Sequence, residues 1–288
     1  VIDKYHMATK RGTWDYREQF GEEFGRTYFR RFDPGVTSSI GIGTYLGAPT
    51  DSADEQYYRA LVDAIESGVN HLDTAINYRC QRSERIVGDA IADAAIDRDA
   101  IVLATKGGFI PFDEEKPADP GGYISEEFIQ NGAVDAAALA RGCHALTPAF
   151  IDSMLDQSQT NLAVDYIDCY YIHNPETQLT VRSRTAVYDQ LTAAFEHLSA
   201  VVWLEILVAM VSQVGTPSAS LQVTTHICHC HALLHVPRQL LIPLESMIAD
   251  SWRFNSRSTF KWQMHSPQQH ILTQSVWMMR PCRKIPSV

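Results

Sequence analysis

Lysine is scarce at the front of this chain: only four of its 288 residues are lysines before Ser199. Surfaces that follow nucleic-acid phosphates are built from Lys and Arg, and the formal net charge here is −10, which argues against a nucleic-acid partner. Cysteine is sparse as well. The six present (Cys80, Cys143, Cys169, Cys228, Cys230, Cys282) show no framework spacing, which in a chain of this length reads as reduced thiols in a cytoplasm. Long apolar runs are missing. The longest candidate, "VVWLEILVAMV" at 201–211, carries Glu205 and falls short of the roughly 20 residues a membrane helix needs. No basic stretch followed by an apolar core marks a secretory signal, and Met7 reads as a natural start preceded by a short extension. No G-x-G-x-x-G fingerprint follows the first strand, which argues against a dinucleotide fold of that kind.

What is present changes abruptly. Through Leu198 there are 31 acidic and 17 basic residues; from Ser199 on there are 3 and 7. The last 90 residues hold six of the 11 His, four of the five Trp and no Tyr. An acidic, lysine-poor surface is common in salt-adapted proteins, and a mesophilic acidic protein shows it too; both readings stand.

The first part alternates strand and helix. "RTYFRRFDPGVTSSIGIGTYLG" reads as strand, turn, strand around Asp33-Pro34-Gly35. Helical spacing runs over 53–67, 83–95, from Thr147-Pro148 to Leu162, and over 183–198. Between these lie the apolar segments "VNHLDT", "AIVLATK" and "VDYIDCYYIH", and a long irregular stretch at 107–146. Strands apolar on both faces and joined through helices predict a parallel α/β sheet. Periodicity alone does not separate an open sheet from a closed barrel.

Each strand ends in polar chemistry. The first delivers Gly43, Thr44 and Tyr45, the second Asp73 with Tyr78 five residues on, the third Lys106 and the fourth His173. In a (β/α) barrel these ends share one face, where such enzymes keep their sites. A free phenol has a pKa of about 10, and an ammonium beside it is expected to lower that value. An aspartate would keep the lysine charged, and a histidine could orient a carbonyl. Singly, each residue has a plain structural reading as turn former, solvated lysine or satisfied histidine. Cys80 reads as a neutral packing residue, and Asn77 and Arg79 as shapers of their loop.

"IGIGTYLG", "DTAINY", "ATKGG" and "VDYIDCYYIHNPE", in that order, resemble the aldo/keto reductase superfamily. The resemblance implies a (β/α)8 TIM-barrel fold, NADP(H) as cofactor, and hydride transfer between nicotinamide and a small carbonyl or alcohol substrate. It implies Asp73, Tyr78, Lys106 and His173 as the catalytic set, with Tyr78 as the acid. Gly43, Thr44 and Asp73 would approach the nicotinamide and its ribose, and Tyr45 and His173 would contact substrate. Charge, run lengths and ligand spacing lead to an expectation of no metal, no membrane and no nucleic acid, and oligomeric state is open.

The division expected is an N-terminal extension at 1–25, the first half of an aldo/keto reductase-type barrel at 26–198, and an atypical region at 199–288. Only the first four β/α units are recognisable. The later family motifs, a Ser-Asn pair, a Gln and late basic residues for the 2′-phosphate, do not appear after Leu198. A frame-shifted or disordered region is one reading of that tail, and a divergent domain the other. An inactive remnant and a non-catalytic regulatory subunit that binds NADP(H) therefore stand beside the enzyme reading. "HICHCHALLH" (His226, Cys228, His229, Cys230, His231, His235) lacks the usual ligand spacing and reads as accidental clustering rather than a zinc site. Four strands alone would leave the first and fourth edges unpaired. The tail is thus expected not to complete a barrel, and the chain to have little or no reductase activity. Limited proteolysis with an NADPH fluorescence titration checks this: tight binding, with residues 199–288 as resistant as 26–198, would overturn it.

Overall fold

The computed structural model describes residues 7–21, 23–32, 35–201, 207–214 and 222–228. Near the N-terminus, helix α1 (Lys10–Gln19) starts at Thr9, whose hydroxyl accepts the Gly12 N–H at 2.8 Å. It falls inside the segment expected as an extension, yet the Tyr16 hydroxyl donates to the Ile65 carbonyl at 2.5 Å. Strands β1 (Phe29–Arg31) and β2 (Val36–Ser38) form the expected antiparallel hairpin, with Phe29 opposite Ser38. Asp33 and Pro34 of its turn lie outside the described residues; Phe32 N–H donates to Gly35 O at 3.0 Å across it.

The main sheet has six strands in chain order: β3 (Ile42–Gly43), β4 (His71–Asp73), β5 (Val102–Gly107), β6 (Cys169–His173), β7 (Leu207–Val214) and β8 (Gln222–Cys228). From β3 to β7 every neighbouring pair is parallel. Crossovers carry helices α2 (Asp51–Glu66), α3 (Arg82–Asp93), the short α4 (Pro120–Ile124), α5 (Pro148–Leu162) and α6 (Arg184–Val201). A doubly wound sheet reverses its strand order at a switch point. This order never reverses, so topology answers what periodicity left open in favour of a barrel progression.

Local chemistry accounts for the helices. Asp51 and Asp54 sit in the first turn of α2, at the positive end of its dipole, and Leu61 and Ile65 bury one face at i,i+4 spacing. Gly68 follows with a positive φ of 95°, the conformation that ends the helix. Pro148 opens α5, and Ala163 closes it in the left-handed region. Helices α3 and α5 touch at Gly88, where a Cβ would stand 2.5 Å from the Leu162 carbonyl oxygen. The stretch at 107–146 is less irregular than its composition suggests. It contains α4, a π-helical turn at Ser125–Gln130 and a 3-10 turn at Ala136–Ala138.

The sheet has two kinds of core. Outward residues such as Leu72, Leu103, Tyr170 and Ile172 pack with Leu61, Ile65, Val87 and Ile151 of the helices. Inward Ala104, Cys169 and Tyr171 form a smaller cluster, with Phe32 of the hairpin against it.

After α6 the expectation needs correction. The edge of β6 is not unpaired: β7 lies beside it in parallel, with Leu207 opposite Cys169. Then β8 returns antiparallel, so the parallel alternation stops there among the described residues. Of the His/Cys run, the backbone from His226 to Cys228 belongs to β8, and the remainder lies outside the described residues. No helix among the described residues is long and apolar enough to cross a membrane.

One buried carboxylate ties three segments together at the foot of β6. Asp168 accepts the backbone N–H of Ala8 at 2.5 Å and of Leu103 at 2.8 Å, and pairs with Arg98 Nη2 at 2.8 Å. Both members of the pair are buried. Asp168→Ala strands the Arg98 charge and is expected to cost about 3–5 kcal/mol in urea denaturation. A loss below about 1 kcal/mol, the scale of a surface pair, would overturn that assignment.

Candidate active site

Register alone gathers the strand ends. In parallel strands, residues opposite one another share a face, as do residues two apart. Gly43 lies opposite Asp73, and Asp73 opposite Ala104. Lys106, two residues beyond Ala104, lies opposite Tyr171, and His173 follows two residues later. Asp73, Lys106 and His173 therefore climb the inner face in steps, one strand at a time.

Lys106 is the hub. It is only 4% exposed, and its Nζ donates to Asp73 Oδ1 and, at 2.7 Å, to the Thr74 carbonyl. Burial alone would drive the ammonium to shed its proton. The charges of Asp73 and Tyr78 and the hydrogen bonds they make with Lys106 more than offset it, and its pKa ends above the ordinary lysine value. On the outer side of the same strand, Thr105 donates its hydroxyl to buried Glu84 at 2.5 Å, which also accepts from Asn161 at 2.9 Å. These contacts hold β5 in register from behind.

Tyr78 reaches the hub from the turn after β4. Its ring centre stands 4.9 Å from Lys106 Nζ. His173 meets it edge-on at 5.7 Å, and Tyr45 at 5.0 Å. The expected lowering of the phenol's pKa is not the net result. Burial dominates and raises it above the usual value, with the Lys106 charge pulling the other way. His173 is buried and held well below the usual imidazole pKa by burial first and then by the Lys106 charge, so it is neutral. Its Nδ1 has no partner among the described residues.

The turn carrying Tyr78 is strained and anchored. Arg79, Cys80 and Gln81 all have positive φ. The Arg79 side chain is 1% exposed, pairs with Asp54, donates to Ala48 O at 3.1 Å and stacks over Tyr57. Arg82 bridges Asp54 to Glu114, and Arg85 holds Asp113, so the segment after β5 is strapped to α2 and α3. Arg79 shapes the loop as its position suggested. Burial raises the Cys80 thiol's pKa, which keeps it neutral.

The remaining expected residues also fall here. Thr44 is buried and its hydroxyl lies 2.9 Å from that of Thr74. Tyr45 is 62% exposed at the rim. Two neighbours went unread in the sequence. Thr74, inside "DTAINY", meets Lys106 through its carbonyl, which any residue type offers, and its hydroxyl meets only that of Thr44. Phe109 stands edge-on to His173 at 5.1 Å, and an aromatic in a Gly-Pro loop has no periodicity to betray it. The surface hollow lined by Asp54, Tyr58, Ile86 and Asp89 shares none of the inward-facing residues.

Removing the Lys106 charge isolates its effect on the phenol. Lys106→Met is expected to move the Tyr78 titration upward, seen by ¹³Cζ-tyrosine NMR with Tyr78→Phe as the assignment control. An unmoved or lowered titration would refute the coupling.

A sequence model of the Aldo/keto reductase family matches residues 39–207. An oxidoreductase of Bacillus subtilis, YqkF, is 31% identical over 162 residues, covering 56% of this chain and 40% of that protein. The glycerol 2-dehydrogenase (NADP(+)) of Saccharomyces cerevisiae is 28% identical over 136 residues, covering 47% of this chain and 30% of the yeast protein. A solved holo-form aldo-keto reductase from Bacillus halodurans is 26% identical, with a TM-score of 0.41, over 60% of this chain and 46% of that one. The chain thus spans less than half the length of each of these relatives. Its family match, running from just before β3 to the start of β7, takes in the ends of β3, β4, β5 and β6, and the chain belongs to the aldo/keto reductase family.

Proposed function

We propose that this site is that of an NADP(H)-dependent oxidoreductase acting on a small carbonyl or alcohol. The observation that carries the reading is a buried ammonium, held by Asp73, set 4.9 Å from the ring centre of a phenol at the ends of parallel strands. The residues fit the nicotinamide end of such a cofactor. Gly43 presents no side chain opposite Asp73, and Nδ1 of His173 is left without a partner among the described residues. Gly43, Thr44 and Asp73 would hold the nicotinamide and its ribose. The yeast relative's name supports NADP as the cofactor. When bound, the cofactor supplies the hydride in reduction.

The chain's own residues supply the proton and the orientation. Tyr78 gives its phenolic proton to the carbonyl oxygen, and the Lys106 ammonium stabilises the phenolate left behind. Asp73 keeps Lys106 charged. The neutral imidazole of His173 orients the carbonyl, and Tyr45 borders the substrate at the mouth. A phenol whose pKa is raised stays protonated near neutrality. The site is therefore set for reduction there, and oxidation is favoured only at higher pH.

A second reading, a non-catalytic NADP(H)-binding subunit, draws on the antiparallel return of β8 and on the short span of the relatives that is matched. Tyr78→Phe in the 288-residue chain separates the two. The parent is expected to consume NADPH slowly with a small aldehyde, and the variant about 100-fold more slowly, with NADPH binding retained. Equal rates in parent and variant would refute Tyr78 as the acid. A parent that binds NADPH and reduces nothing would support the second reading.

A further inference from the structure

A second buried histidine touches His173 from behind. His144 lies between β5 and α5, is fully buried, and places Nε2 2.8 Å from the backbone oxygen of His173. Gln178, buried in the 3-10 turn after β6, places Nε2 3.0 Å from His144 Nδ1 and 2.8 Å from the His144 carbonyl. The roles follow from what each group can do. Arg182 can only donate, and it donates to Gln178 Oε1, so the Gln178 amide nitrogen faces His144. That nitrogen can only donate, so His144 Nδ1 is bare. The proton sits on Nε2 and is given to the His173 carbonyl, which can only accept. All the hydrogen bonds run one way, from Arg182 through Gln178 and His144 to His173.

Three further features converge on the same peptide. Asn174, next after His173, is a non-glycine residue at φ 46°, where the chain leaves the strand. Gly108 has φ 141°, and a Cβ there would stand 3.0 Å from both His144 Nε2 and His173 O. Phe109 pairs across to His144 and stands edge-on to both imidazoles. Nδ1 of His173 has no partner among the described residues, so no hydrogen bond there fixes the ring. Its orientation rests on its backbone and on the rings of Tyr78 and Phe109.

We propose that His144 is a positioning residue: as a single neutral tautomer it clips the end of β6, so that the His173 imidazole is held edge-on to Tyr78. The proposal rests on reading His173 as the group that orients the substrate carbonyl. Burial agrees with it, since it pushes the His144 pKa down to about 4, against the raising effect of the His173 carbonyl.

The test uses the full 288-residue chain with ¹³C,¹⁵N-labelled histidine. In the parent, His144 is expected to show a protonated Nε2 and a bare Nδ1 from pH 8 to 5.5; a protonated Nδ1 would overturn the proposal even if every variant failed to fold. His144→Phe keeps a ring without the donor, and the His173 ring-proton shifts are expected to move toward those of a free imidazole. His144→Gln, which can place an N–H near the lost Nε2, is expected to bring them back. Unmoved His173 shifts in folded His144→Phe would overturn the clip. Kinetics separate the underlying reading: His144→Phe is expected to lower kcat about 10- to 100-fold, with the KM for NADPH unchanged. Shifts that move while kcat does not would leave the clip standing and remove His173 from the reaction.

Discussion

A lysine ammonium in a water-poor interior is tolerated only where an anion and hydrogen-bond acceptors meet it, and much of this structure follows from that requirement. Lys106 finds Asp73 and the Thr74 carbonyl because β4 and β5 are adjacent, parallel and in one register. A slip of one residue would turn Lys106 to the outer, helix-packed face and bring Thr105 inward. The polar contacts of Thr105 with Glu84, and of Glu84 with Asn161, oppose that slip from the outer side. The site and its supporting shell are thus two faces of the same strand.

Around this pair the protein spends ordering on loops. The turn after β4 would have little reason to adopt three consecutive positive φ values, were it not held by the buried Arg79 and its ion pair with Asp54. That ordering brings the Tyr78 ring over Lys106. The stretch between β5 and α5 folds back to place Phe109 and His144 against His173. Aromatic edges surround a neutral imidazole, and the one strong charge stays paired. Burial keeps the proton on the Tyr78 phenol near neutrality.

The sheet has a firm side and an unfinished side. From β3 to β6, strands and helices pack a continuous outer core. Strand β7 extends the parallel order by one, and β8 reverses it, so among the described residues β3 and β8 each pair along one side only. The family relationship covers the firm side, and the catalytic groups proposed here all lie within it.

Local chemistry made a good deal of this legible in advance. The helices α2, α3, α5 and α6 are written in apolar spacing and in starts such as Thr147-Pro148, because helix formation depends on residues three and four apart. The strand ends announced themselves because Asp73, Lys106 and His173 are unusual residues with which to finish apolar runs. Their order in the chain was enough to suggest the family. Tertiary structure decided the rest. The absence of a reversal in strand order, and the cover that β7 lays over β6, depend on pairings between distant segments. The direction of the Tyr78 pKa depends on burial, and no spacing encodes burial. The contact of His144 with the His173 carbonyl joins residues 29 apart through a loop without periodicity. The sequence by itself determined which groups stand at the strand ends; only the packed sheet decided which of them touch, because register, burial and loop closure are properties of the whole fold.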